Sequence, residues 1–441
     1  DARFAGASSA EKRQIIADAL TAQALDASVM TALDSIAWTF NLRGADVTHT
    51  PVGLAFAIVH ADATADLFVA PEKVTAEVRA HLGNGVRLHD RYGFAPALAQ
   101  LEGRIAADPE RAVAAVFDAL DAGRAAIVPL RDPAVLAKAI KNPVEIAGTR
   151  AAHARDGAAL SRFLHWLSVE APLGTLTEIS AADRLRAFRE QGGGLADLSF
   201  DTISGSGPNG AIMHYKVSPE TDRRIEPASV YLCDSGGQYR DGSTVGTTDV
   251  TRTVWIGPGA PPPQVRDRFT RVLKGHIAIA TLVFPKATRG GQIDAFARAS
   301  LWSAGLDYAH GTGHGVGSFL SVHEGPQRIA KFSGGQAGAD EPLHAGMILS
   351  NEPGYYKQGE YGIRIENLVL VEERTVAGAE GRYLGFETLT FAPIDKTLVD
   401  TSLLGRDELR WWDAYHAMVL KVVGPQLEDK ALAWVEEACA G

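Results

Sequence analysis

The sequence predicts an α+β protein of two domains, a smaller α/β domain over residues 1–141 and a larger one over residues 142–441. Three observations carry this expectation. Short strand and helix patterns alternate through the first part of the chain. Asn142-Pro143 is a helix-start signal, with a capping side chain before a proline preset for the first turn. After Gly192-Gly-Gly the pattern turns to strands before returning to helices. With 441 residues, 46% of them hydrophobic and 22% charged, the chain can bury more than one core.

In the first domain, Ile15, Ile16, Ala19, Leu20 and Leu25 recur at helical spacing, which predicts a helix over 9–27 with Ser9 as its cap. A short helix over 32–40 follows. Strands over 54–59 and 66–69 are joined by a turn at Ala61-Asp62, and Pro71 starts a helix reaching about Leu82. A helix over 113–120 and a strand over 125–130 complete the alternation. His49, His60 and His89 are isolated in sequence and read as structural or solvated.

In the second domain, Pro143 and Glu145 open a helix that continues through Trp166, and Ser180 with Asp183 marks the start of another. Strands are expected over 198–200, 211–215, 230–234 and 249–256. Long helices are expected over 263–283 and 291–304, and two more in the tail over 403–440. Gly205-Ser-Gly207-Pro-Asn-Gly210 has the spacing of a dinucleotide loop. Pro208 interrupts it, however, and the residues after it read as a strand rather than the required helix, so no nucleotide site is expected there.

Composition narrows the function classes. A net charge of −10 argues against a broad cationic surface for nucleic acid. Two cysteines, Cys233 and Cys439, make neither a disulfide framework nor a thiolate zinc site. No apolar run has transmembrane length and no signal peptide is visible, so a membrane role is not expected and the cytoplasm is the default compartment.

The chemistry-bearing residues concentrate in two places. Asp234 and Asp249 lie on strand-like runs joined by a glycine-containing connector, so the runs can pair as a hairpin. Two carboxylates so close repel unless a cation lies between them, and a pair of divalent ions would serve. Taken alone, each reads first as a strand-end aspartate capping a turn, and the downstream residues shift that balance. Downstream, His314, Glu352 and Glu366 add one imidazole and two carboxylates, giving a hard, oxygen-rich set suited to Mn²⁺, Co²⁺, Zn²⁺ or Fe²⁺. Arg364 and Glu366 are expected on one strand face, with Arg364 pairing to a ligand carboxylate.

Eight segments in order carry a resemblance. The first four are Leu198-Ser-Phe-Asp-Thr-Ile-Ser204, Gly207-Pro-Asn-Gly-Ala-Ile-Met-His214-Tyr, Tyr231-Leu-Cys-Asp-Ser-Gly236 and Thr247-Thr-Asp-Val-Thr-Arg-Thr253. The others are His310-Gly-Thr-Gly-His-Gly-Val-Gly317, Val322-His-Glu-Gly-Pro326, Asn351-Glu-Pro-Gly-Tyr-Tyr356 and Gly362-Ile-Arg-Ile-Glu-Asn367. From about Asn142 onward the chain resembles the pita-bread metallopeptidases, the family of methionine aminopeptidase, prolidase, creatinase and aminopeptidase P. The similarity is greatest to the larger, cytosolic aminopeptidase P branch, and residues 1–141 resemble that branch's creatinase N-terminal-like middle domain.

The resemblance implies a pita-bread catalytic domain in which Asp234, Asp249, His314, Glu352 and Glu366 bind two divalent ions, Mn²⁺ foremost. Asp249 and Glu366 would bridge them. His214, His310 and His323 would be active-site histidines that are not ligands, and Glu352 would act as both ligand and base. The implied activity is release of an N-terminal residue from a following proline in Xaa-Pro-Yaa peptides by a hydroxide activated between the ions, in a homodimer. A prolidase cleaving Xaa-Pro dipeptides is the nearest alternative, and a catalytically silent binding module the alternative of a different class.

Two departures from the family pattern stand out. Asp234 and Asp249 are four residues further apart than usual, the surplus lying around Ser243-Thr-Val-Gly246. An even insertion at the hairpin tip keeps both aspartates on one side, whereas an odd slip would turn Asp249 away and leave Asp241 as the substitute. The chain also begins where the middle domain of the larger members begins, which points to an absent first domain.

Overall fold

The computed structural model describes residues 1–242, 244–332 and 338–440. The chain divides into two compact units, residues 1–145 and 146–441. Among the described residues no helix is long and apolar enough to cross a membrane.

The first unit is built on a six-stranded sheet of β1 (Ala27–Met30), β2 (Ala55–His60), β3 (Ala65–Val69), β4 (Val86–His89), β5 (Glu102–Ala107) and β6 (Arg124–Pro129), in the order β4-β3-β2-β1-β5-β6. β2 pairs antiparallel with β1 and β3, and the remaining pairs are parallel. Helix α1 (Ser9–Thr21) is capped by Ser8 in a reciprocal box with Glu11, one residue before the expected cap. It stops at Thr21, where the chain enters a turn over residues 22–24 that leads into the wholly buried strand β1. The Pro71 helix divides into a 3₁₀ turn over Pro71–Lys73 and a helix over Ala76–Leu82 capped by Thr75. His60 and His89 are not isolated: both ring Nε2 atoms lie 2.7 Å from Asp66, which Arg87 also binds.

In the second unit, α2 (Pro143–Glu170) starts as expected, with Asn142 Oδ1 accepting from the backbone N–H groups of Val144 and Glu145. α3 (Glu178–Gln191) is capped by Thr177, three residues earlier than expected, and Ser180 is the reciprocal partner in its box. The strands β7 (Leu195–Leu198), β8 (Ile203–Ser206), β9 (Ser229–Ser235), β10 (Gly237–Asp241), β11 (Thr244–Thr247) and β12 (Val250–Ile256) form two three-stranded sheets, β11-β10-β7 and β12-β9-β8. Residues 211–215, expected as a strand, instead follow a 3₁₀ turn over Gly207–Ala211 and stay outside the sheets. No α-helix begins at the glycines there, as the rejected nucleotide reading requires.

A larger sheet uses β13 (Val283–Pro285), β14 (Gly313–Gly315), β15 (Glu324–Ile329), β16 (Ile348–Asn351), β19 (Asn367–Arg374) and β20 (Tyr383–Thr388), ordered β13-β20-β19-β16-β14-β15. A separate hairpin joins β17 (Gly354–Lys357) to β18 (Tyr361–Arg364). Helices α4 (Pro263–Ala280), α5 (Gly290–Trp302), α6 (Arg406–Val423) and α7 (Asp429–Cys439) complete the unit.

Two cores fix the strands that matter for the site. Tyr231 and Cys233 of β9 pack with Leu160, Phe163 and Leu167 of α2, while Ile363 of β18 packs with Phe269 and Leu273 of α4. Each leucine, isoleucine or phenylalanine among them contributes about 1.5–3 kcal/mol when fully buried. Arg252, almost wholly buried, joins the parts. Its guanidinium donates to the carbonyls of Thr251, Glu366, Ala392 and Pro393, to Asn367 Oδ1 and to the hydroxyl of Tyr415 on α6.

Candidate metal centre and active site

One register organises the first half of the site. β9 pairs antiparallel with β12, setting Asp234 opposite Thr251, and β10 pairs with β11 as far as Asp241 opposite Thr244. The same register places Asp249 opposite Gly236, two positions along from Asp234, so both carboxylates leave one face of the hairpin. Gly236 permits the crossing. A Cβ there would lie 1.9 Å from the carbonyl oxygen of Thr248 and 2.3 Å from Ser199 Oγ. A buried network holds the end of β9, with Arg189 bonded to Asp156 and Ser235, and Tyr239 donating to Asp156. Asp241 lies at the hairpin tip, paired with Arg155 and away from the cleft-lining residues. Of the four surplus residues, Ser243 lies outside the described residues.

The second half comes from the larger sheet. Gly313 lets β14 approach β16 so closely that a Cβ would meet the Ser350 carbonyl at 1.9 Å. Ser350 Oγ then accepts from the backbone of His314 and donates to Glu352 Oε1. Glu366 is not on a strand with Arg364, as expected, because β18 ends at Arg364 and β19 begins at Asn367. The expected pairing is nevertheless present. Arg364 donates to Asp234 Oδ2 at 2.6 Å and through Nε to Thr251 Oγ1, which itself donates to Glu366 Oε2 at 2.8 Å.

All eight residues singled out in the sequence line one cleft of about 480 Å³: Asp234, Asp249, His314, Glu352 and Glu366 with His214, His310 and His323. Ligand atoms of Asp249, His314 and Glu366 lie within 4.8 Å of one another. His314 Nδ1 faces the Gly315 carbonyl and must donate to it, so Nε2 presents its lone pair to the site. That nitrogen stands 3.5 Å from both Asp249 Oδ2 and Glu352 Oε1. Asp234 Oδ1 is buried and has no hydrogen-bond partner.

Electrostatics give the same picture. Burial, reinforced by Asp234, lifts the Asp249 carboxyl well above the usual range, and burial with Asp249 and Asp234 does the same to Glu366. Burial pushes Glu352 up to about 7 against the pull of His314 and Arg364. Four carboxylates beside one arginine leave negative charge uncompensated, a cost of several kcal/mol per ion in a protein interior. Divalent cations among one imidazole lone pair, an orphaned carboxylate oxygen and three further carboxylates would remove that cost, so the donor set fits them.

The histidines that hold no such lone pair toward the carboxylates behave differently. His310 is held down to about 3 by burial and Arg364, and His323 to about 3 by His314 and burial, so both are neutral near pH 7. His310 donates from Nδ1 to the Gly311 carbonyl and accepts at Nε2 from Tyr356, whose hydroxyl in turn accepts from Arg364. Tyr356 is therefore the link between a candidate ligand's partner and the His310 imidazole. Its identity was in the quoted motif, but its role was not.

Sequence reasoning also missed Glu178. This carboxylate accepts from the backbone N–H groups of Ser206 and Arg223, from Asn209 Nδ2 and from the Tyr215 hydroxyl. It pins the loop that carries Met213, His214 and Tyr215 into the cleft, which is why those residues form no strand. The sequence offers only an acid in the first turn of α3, where acids are common for their effect on the helix dipole. Glu178→Ala leaves these donors without an acceptor and is expected to destabilise the protein by about 3 kcal/mol or more. It should also raise KM for peptide substrates, and thermal unfolding with steady-state kinetics checks both effects.

Comparisons with known proteins extend over the whole chain. Residues 147–373 match the model of metallopeptidase family M24, residues 1–145 that of the creatinase/prolidase N-terminal domain, and residues 382–441 that of the C-terminal region of this peptidase family. A probable Xaa-Pro aminopeptidase P of Laccaria bicolor is 45% identical over 452 residues, covering 100% of this chain and 68% of the relative. Aminopeptidase P2 of Arabidopsis thaliana is 44% identical, covering 97% of this chain and 64% of the relative. The chain thus spans about two thirds of the length of these curated relatives. The crystal structure of X-prolyl aminopeptidase from Caenorhabditis elegans, described as a cytosolic enzyme with a di-nuclear active site, superimposes with a TM-score of 0.90 at 35% identity. It covers all of this chain and 72% of that one. With its catalytic, N-terminal and C-terminal regions all matched, this chain belongs to metallopeptidase family M24.

Proposed function

We propose that this chain is a metal-dependent Xaa-Pro aminopeptidase that releases the N-terminal residue from Xaa-Pro-Yaa peptides. Asp234, Asp249, His314, Glu352 and Glu366 hold two divalent cations, with Mn²⁺ preferred by the oxygen-rich donor set. The observation that carries this reading is the meeting of these five groups with His214, His310 and His323 on one cleft. The Xaa-Pro aminopeptidase names of relatives that are 44–45% identical support the choice of reaction. Location in the cytoplasm is supported by the description of the Caenorhabditis elegans enzyme, and a homodimer is the assembly implied by the resemblance.

Bound cations supply Lewis acidity toward the scissile carbonyl and lower the pKa of water. The chain's own residues do the rest. Glu352 can take a proton from the attacking water and return it to the leaving nitrogen. A peptide bond before proline has no N–H, so the departing nitrogen gains its first proton at this step. His323, kept neutral, can donate a hydrogen bond to the oxygen on which charge develops, and His214 is the other candidate donor. Phe200, Ile203, Met213 and Tyr215 give the cleft an apolar wall against which the proline ring can pack.

The test is release of Xaa from Xaa-Pro-Yaa and from Xaa-Pro, with and without Mn²⁺. Metal-dependent cleavage of Xaa-Pro-Yaa is expected. Cleavage of the dipeptide alone would make the protein a prolidase, and no cleavage together with only trace bound metal would make it a binding module.

A further inference from the structure

The cleft has a cationic side chain that the chemistry described so far does not use. Three lysine or arginine side chains line it: Lys216, Arg364 and Arg328. Lys216 pairs with Asp201 at 2.6 Å and Arg364 with Asp234 at 2.6 Å. Arg328 has no carboxylate partner among the described residues. A half-buried guanidinium has lost part of its hydration without an anion to replace it, which is uncommon away from a ligand site.

The backbone beneath Arg328 is fixed. It lies on β15 directly opposite His314 on β14, so the two side chains leave the same face of the sheet. Its N–H donates to the Gly338 carbonyl at 3.2 Å, and its own carbonyl occupies space that a Cβ on Gly290 would enter, 1.7 Å away. A rigid strand thus carries a side chain with an unused charge, the arrangement that gives precise binding positions.

The charge of the cleft is therefore directional. Four carboxylates gather at the scissile position, where a substrate's amino end arrives, and an unpaired cation stands on the neighbouring strand. We propose that Arg328 is a specificity-determining residue that binds the terminal carboxylate of a tripeptide Xaa-Pro-Yaa, so that the cleft favours tripeptides with a free carboxyl end. This rests on the aminopeptidase reading above. Opposed residues of an antiparallel ladder have Cα atoms about 5 Å apart. The carboxylate of Yaa lies two residues beyond the scissile carbonyl, about 7 Å along an extended chain. The two lengths are compatible, and a guanidinium fork matches a carboxylate in two parallel hydrogen bonds.

The experiment compares Ala-Pro-Ala with its C-terminal amide as substrates of the Mn²⁺-loaded full chain. The free acid is expected to exceed the amide in kcat/KM by about 10-fold or more, mainly through KM. In Arg328→Met that ratio should collapse to about one, and Arg328→Lys should restore part of it, because lysine keeps the charge without the fork. A ratio near one in the wild type, or a ratio that survives in Arg328→Met, overturns the assignment while leaving the aminopeptidase reading intact. Failure of the wild type to cleave either peptide removes both.

Discussion

Asp249→Ala is expected to abolish hydrolysis of Xaa-Pro-Yaa peptides, with kcat/KM falling by far more than the roughly 10–100-fold typical of residues that merely orient a metal ligand. Asp241→Ala, at the aspartate that a slipped register would substitute for Asp249, is expected to leave kcat/KM nearly unchanged. The register decides between them. Asp249 leaves the same hairpin face as Asp234 and lines the cleft, whereas Asp241 is spent on Arg155 at the tip with 53% of its side chain exposed. Loss of so exposed an ion pair is worth about 1 kcal/mol or less. Elemental analysis of bound Mn²⁺ should agree, with a deficit in Asp249→Ala and none in Asp241→Ala. The opposite pattern would move the second ligand to Asp241 and refute the placement of the surplus residues at the tip.

The metal-stripped protein is expected to lose stability as pH rises from about 5 to 8, and Mn²⁺ should restore it most at the upper end. Asp249, Glu352 and Glu366 all have carboxyl groups lifted above their ordinary values, chiefly by burial. Between its unfolded and folded pKa such a group binds more protons in the native than in the unfolded state. Stability is then full below the unfolded value and is lost as pH climbs through the folded one. For Glu352 the window runs from the ordinary 4.5 to about 7. At 1.36 kcal/mol per pH unit this group alone accounts for about 3 kcal/mol. Melting curves of stripped and Mn²⁺-loaded protein should diverge by roughly 5 °C or more between pH 5 and pH 8. A gap that stays constant, or narrows toward pH 8, would show that these carboxylates are not the cation's partners. Stripped Asp249→Ala should, for the same reason, melt higher than the stripped wild type near pH 8.

The candidate ligands were legible because few residue types can bind a hard cation and their motif settings are distinctive. Asp234, His314 and Glu352 could be named from such short segments as Leu-Cys-Asp-Ser-Gly and Asn-Glu-Pro-Gly-Tyr-Tyr. What holds those ligands was far less legible. Thr251 bonds Glu366 across 115 positions of sequence, and Tyr356 reaches His310 across 46, distances that no periodicity encodes. Local patterns failed where a distant residue overrode them. Ala211-Ile-Met-His-Tyr215 reads as a strand, yet the buried carboxylate of Glu178 draws Tyr215 and Asn209 into a loop. Residues 9–27 read as one helix, yet it ends at Thr21 so that a turn can deliver Ala27 to β1, paired between β2 and β5. In both cases packing made from remote sequence outweighed a preference worth only tenths of a kcal/mol per residue.

The hydrogen bonds of Arg252 have a further consequence for how the regions of this family can be separated. Its neighbour Thr251 holds Glu366, while three of its own acceptors, the carbonyls of Ala392 and Pro393 and the hydroxyl of Tyr415, come from the tail matched as a C-terminal region. The tail thus solvates a charge that also holds the backbone carbonyl of Glu366, a residue of the cleft. A catalytic segment cut free at residue 373 would strand that guanidinium in a dry interior with half its acceptors gone. What sequence comparison divides into a catalytic region and an appendage is, electrostatically, one body.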